Sequence, residues 1–118
     1  MLLRVSGEHS GAKLDLSAVT KQGSADTGVR KGAVLLTLAE AIVSRDPDAI
    51  TRAAASARSA LGDAGWVDAV AVAANFERMV RIADGTGIPL DEFMHEASAP
   101  VRDQLGLARF PGAAQTRG

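Results

Sequence analysis

Residues 66–88, WVDAVAVAANFERMVRIADGTGI, leave this chain few ways to fold. From Val67 to Ala74 the run is apolar nearly all round, as expected of a helix covered by neighbours on several sides. A polar cluster of Asn75, Glu77, Arg78, Arg81 and Asp84 follows on the same helix, and Gly85-Thr86-Gly87 gives it a stop. Elsewhere the β-branched residues are scattered, and no Asn-Gly or Asp-Gly hairpin joins alternating segments. The fold class expected is all-α, a compact bundle of about four to six helices.

The flanking segments read the same way. Leu35, Leu38, Ala39 and Ile42 repeat at helical spacing within a helix from about Val29 to Arg45, with Thr27 or Asp26 available to cap it. Asp46-Pro47-Asp48 ends one helix and starts the next, with Asp46 as N-cap, Pro47 at the first helical position and Asp48 in the first turn. Ile50, Ala53, Ala54, Ala57 and Leu61 form its inner stripe, and Gly62 closes it. Asp63 is placed to cap the helix that carries Trp66, which leans back on its predecessor. A fourth helix runs from Leu90 to about Ala97, with Leu90, Phe93, Met94 and Ala97 inward, and Pro100 breaks it and opens a short last helix through Leu105. Residues 1–28 form a poorly defined leader, with a short helix around Leu14–Val19 that puts Leu16, Val19 and Thr20 near one face. Lys21–Gly28 reads as a loop, and residues 107–118 read as a flexible tail.

At 118 residues one domain is expected, spanning 1–118. Hydrophobic residues make up 47% and aromatics only 3%, so the core is built of Ala, Val, Leu and Ile. Small side chains bury little area each, which makes association with further copies the expected source of extra burial. The formal net charge is −1, without the basic stripe that a nucleic-acid partner requires. No window approaches a membrane span and the start is too short an apolar run for a signal peptide, so a cytoplasmic location is expected. The absence of cysteine removes thiolate chemistry, disulfides and cysteine-ligated metals.

The run from about Gly32 to Ile88 resembles the carboxymuconolactone decarboxylase and alkylhydroperoxidase D-like superfamily. The likeness lies in the helix AVLLTLAEAI, in the Ala-rich helix with its Gly-Asp stop, and in NFERMVRIADGTGIP, where the family tends to close on R-x-AD-x-x-G. It covers about half of the chain. It implies small all-helical subunits that associate into dimers, trimers or hexamers. Redox members of the family carry a Cys-x-x-Cys pair and a histidine four residues after the second Cys. Aligned on His9, those thiol positions fall on Leu2 and Val5, and the carboxylate that precedes the pair falls before Met1. Thiol peroxidase chemistry is therefore excluded, because one thiolate must attack the peroxide and a second must resolve the sulfenic acid. The family's decarboxylase branch needs no thiol.

A few polar residues are candidates for function. His9, beside Glu8, is a candidate acid/base, or else a surface residue in a glycine-flanked leader. Asn75 and Arg78 share a helix face, and with Asp84 they are candidate ligand-binding residues, with Arg78 gripping a carboxylate. The structural alternative, preferred here, has Arg78 or Arg81 tying helix ends across a subunit interface with Asp84 as partner. Glu77 and Arg81 form an i,i+4 pair worth only ~0.2–0.5 kcal/mol if exposed. His95 has Asp91 as its one in-helix partner, so no metal site is expected, and no cofactor is implied. Ser56 and Ser59 lack a paired base.

The preferred reading is an oligomeric small-molecule-binding or structural protein without thiol chemistry, with a small anionic ligand as the possible guest. One alternative is a cysteine-independent decarboxylase or lactonase-type enzyme using Arg78 to hold the substrate and His9 to carry the proton. Another is an interaction module docking through the Phe110 tail or the 1–30 leader.

Overall fold

A computed structural model describes His9, Gly11, residues 14–20 and residues 28–116, with the backbone alone for 114–116. Three α-helices, α1 (Gly32–Ser44), α2 (Pro47–Thr86) and α3 (Glu92–Leu105), are preceded by a 3-10 turn at Leu16–Val19 and followed by two more at Leu107–Arg109 and Pro111–Thr116. There is no strand among the described residues, as the scattered β-branched residues imply. No described helix is long and apolar enough to cross a membrane.

The α1–α2 turn follows from local chemistry. Arg45 takes a left-handed backbone (φ 59°) and its N–H reaches the Ile42 carbonyl at 3.3 Å, closing α1. The Asp46 carboxylate then accepts from the Asp48 N–H at 3.0 Å, with Pro47 occupying the first turn of α2. At its other end α1 has no side-chain cap and starts after Lys31 at φ 60°, while the expected caps Asp26 and Thr27 lie outside the described residues. The resulting hairpin packs Leu38 and Ala41 of α1 against Ala53 and Ala57 of α2. Alanines one turn apart let the two backbones approach closely.

Helix α2 is not straight. Gly62, at φ 76° and ψ 172°, lies outside helical geometry, so the helix consists of a proximal limb (47–61) and a distal limb (63–86). These are the two helices expected on either side of Gly62, joined into one bent element. After the bend, Trp66, Ala69 and Val70 pack against the hairpin core. Asp63, expected as an N-cap, instead holds the Arg58 guanidinium of the proximal limb with two hydrogen bonds, and Arg58 stacks over the Trp66 ring at 5.6 Å. Arginine, carboxylate and indole thus clip the two limbs together across the bend.

Off the face that Trp66, Ala69 and Val70 turn to the hairpin, and beyond Val70, the expected burial fails within the chain. Val67 and Val72 are both more than half exposed, and so are Phe76, Met79 and Val80 further along. The reason is supply: α1 and the proximal limb reach only the first turns of the distal limb. The radius of gyration, 15.5 Å, exceeds the about 13.5 Å of a compact 118-residue domain.

Gly87, left-handed at φ 64°, stops α2 where the glycines foretold. Asp91 then caps α3, accepting from the Met94 N–H at 2.8 Å. Pro100 does not break this helix, which continues to Leu105. Pro100 has no N–H to offer the preceding turn, but side chains secure the backbone around it. The Ser98 hydroxyl donates to the Met94 carbonyl at 2.6 Å, and Arg102 donates to the His95 carbonyl at 2.8 Å. Phe93, expected inward, is 71% exposed. In the amino-terminal turn Ala18, rather than Val19, is the buried residue, and Asp15 caps it through the Ser17 N–H. The segment expected as a flexible tail forms 3-10 turns up to Thr116, because Gly106 at φ 62° turns the chain back and Arg109 donates to the Thr20 carbonyl at 3.0 Å.

Candidate functional site

The polar cluster of the distal limb is assembled by helix pitch. Arg78 donates to the Asn75 side-chain carbonyl at 2.9 Å, and the Asn75 amide leans on the Met79 sulfur at 3.8 Å. Arg81 and Glu77 pair at 3.5 Å, as their spacing implies. Asn75 and Arg78 therefore come together, but on an exposed face. Asp84 lies nine residues beyond Asn75, which at 3.6 residues per turn puts it about 180° around the helix. The pitch thus separates it from the face that Asn75 and Arg78 share. His9 is exposed, and none of His9, Asn75, Arg78 and Asp84 is among the described residues that line the two cavities below.

An apolar stripe runs beside that cluster. Val72, Phe76, Met79 and Ala83 are spaced four, three and four apart, which is the a/d pattern of a helix seam. They occupy a face adjacent to the one that Trp66, Ala69 and Val70 turn to the core. Phe76 is 62% exposed and Val72 57%.

The larger cavity lies elsewhere, between α3 and the turns after Gly106. It is a groove of about 890 Å³, with Leu90, Leu107, Ala108, Phe110 and Ala113 supplying apolar wall. Its polar lining is Glu92, His95, Arg102 and Asp103. The sequence offers His95 as a metal ligand or as a surface hydrogen-bond partner of Asp91, and Arg102 was passed over. The available signal was spacing: His95, Ser98 and Arg102 recur at three and four residues and so share one face of α3. A smaller depression of about 530 Å³ sits at the bend, lined by Ala54, Ala55, Arg58, Ser59 and Trp66. There the Trp66 indole N–H is buried without a hydrogen-bond partner among the described residues. The Asp63 hydrogen bonds raise the Arg58 pKa above its ordinary value, because the carboxylate favours the charged guanidinium. Among the described residues no three His, Asp or Glu side chains are grouped so as to hold a metal ion.

Comparison of the chain with known protein families, with curated proteins and with solved structures found no match.

Proposed function

We propose that this protein is a self-associating helical subunit of the alkylhydroperoxidase D-like kind, without thiol chemistry, that assembles through the distal limb of α2. The observation that carries this reading is the seam of Val72, Phe76, Met79 and Ala83, the first three more than half exposed and Ala83 half-buried, on a limb packed to the hairpin only in its first turns, through Trp66, Ala69 and Val70.

A second copy suits the stripe better than a strongly charged partner does. The limb from 66 to 86 carries Asp68, Glu77 and Asp84 against Arg78 and Arg81, close to neutrality. Glu77 and Arg81 already pair within the helix. Such a face has no dominant sign and can meet its own copy about a twofold axis. The resemblance of residues 32–88 to a family of associating helical subunits supports the same reading, and the lack of cysteine takes peroxide reduction by a thiol pair out of consideration.

Sedimentation equilibrium on the full chain tests it. The wild type is expected at twice the 12.1 kDa chain mass or a higher multiple. Phe76→Glu and the milder Phe76→Ala are expected to shift it to one copy with unchanged far-ultraviolet dichroism. Alanine is the better helix former, so loss of mass in that variant is not loss of helix. A single-copy wild type, or an assembly that survives both variants, refutes the proposal.

A further inference from the structure

We propose that the groove between α3 and the carboxy-terminal 3-10 turns binds a small organic monoanion, a molecule with an alkyl or aryl body and one carboxylate that pairs with Arg102. This site shares no residue with the α2 seam, so either proposal can fail alone.

The groove is built rather than incidental. Gly106, in the left-handed conformation, reverses the chain so that Leu107 and Phe110 return to face α3. Arg109 fixes that return twice, donating to the Thr20 carbonyl at 3.0 Å and stacking on the Phe110 ring at 5.0 Å. The volume of about 890 Å³ falls within the roughly 300–1,000 Å³ of small-molecule sites.

Arg102 sets the charge of the guest. It is half-buried, and one of its terminal nitrogens is held by the His95 carbonyl and the Ser98 hydroxyl, so the guanidinium is positioned before any ligand arrives. It makes no ion pair among the described residues, although Glu92 and Asp103 line the same groove. A partly desolvated cation without a counter-ion favours an anion that brings one. The remaining guanidinium donors match the two oxygens of a carboxylate. His95 lines the groove as well.

Glu92 and Asp103 set the limit. Both are exposed, and both would repel a second negative charge. The groove therefore selects one acidic group on an apolar body and discriminates against dicarboxylates and phosphorylated molecules.

The test is calorimetric titration of the full chain with octanoate, with octanol as the neutral analogue and suberate as the dianion, backed by amide chemical-shift mapping. Octanoate is expected to saturate, to move amides within residues 90–113, and to bind about tenfold or more tighter than either analogue. Arg102→Gln is expected to lose about tenfold or more of that affinity, while Arg102→Lys recovers part of it. Because Arg102 also supports α3 around Pro100, a surface variant provides a second arm. Glu92→Gln with Asp103→Asn is expected to raise suberate affinity several-fold with the fold intact. Equal affinity for octanoate and octanol overturns the proposal, as do shifts confined to residues 72–83 or suberate binding indifferent to the acidic pair.

Discussion

Replacing Gly62 with alanine tests the architecture at its bend. At φ 76° and ψ 172° the residue sits where glycine alone is at ease, and an alanine held there costs ~1–3 kcal/mol. No steric term is added, because a Cβ at this position meets nothing within 4 Å. The chain has one escape, which is to straighten α2 into a continuous helix and gain about 1 kcal/mol of helix propensity. Straightening lifts Trp66, Ala69 and Val70 off the hairpin core. Giving up their partial burial costs roughly 3 kcal/mol, at about half the 1.5–3 kcal/mol of full burial for each large side chain and less for alanine. Either route therefore ends near a 2 kcal/mol loss, which at this chain length lowers the melting temperature by about 8 °C. The emission of Trp66, the one tryptophan, separates the routes. It stays unchanged if the bend is kept under strain and shifts to the red if the distal limb swings away. Gly85→Ala is the control: its Cβ is equally free and its backbone lies in the regular last turn of α2. There alanine is expected to stabilise by ~0.5–1 kcal/mol. A Gly62→Ala protein as stable as the wild type, with unaltered emission, would refute the reasoning.

Two further outcomes follow from the hairpin. Leu38, 2% exposed, is the one large side chain of the buried cluster; Leu38→Ala is expected to cost about 3 kcal/mol in urea unfolding, whereas the exposed Val43→Ala stays within about 0.5 kcal/mol. Asp46→Ala removes the acceptor of the Asp48 N–H and is expected to cost about 1 kcal/mol, read as a lower urea midpoint with an unchanged slope.

What could be read in the sequence was whatever chemistry stays local. The Asp46-Pro47-Asp48 start of α2 and the Gly87 stop each depend on a few adjacent residues, and both were legible. So was the Asn75–Arg78 contact, which needs only the helix pitch. Pro100 misled because the compensation comes from side chains. Arg102 reaches seven residues back to His95, a contact that no local rule anticipates. The groove was hidden for a stronger reason: its wall is fixed by a bond between Arg109 and Thr20, 89 residues apart in the chain. Asp84 was grouped with Asn75 by sequence proximity, although the same pitch that joins Asn75 to Arg78 carries Asp84 to the far side.

The exposed distal limb is a matter of length as much as composition. At 1.5 Å per residue, α1 spans about 20 Å over its 13 residues, while the limb from 63 to 86 spans about 36 Å. The hairpin core can cover only the near part of such a rod, whatever its side chains. An apolar run of this kind expresses a demand for cover, and sequence alone cannot tell whether the cover comes from the same chain. The two parts are consequently separable. Leu38, Ala41, Ala53 and Ala57 lie in the hairpin, and Phe76 and Met79 lie outside that cluster and its surrounding shell. Substitutions in the seam should therefore change assembly without unfolding the hairpin, and substitutions in the hairpin should change stability whether or not copies associate.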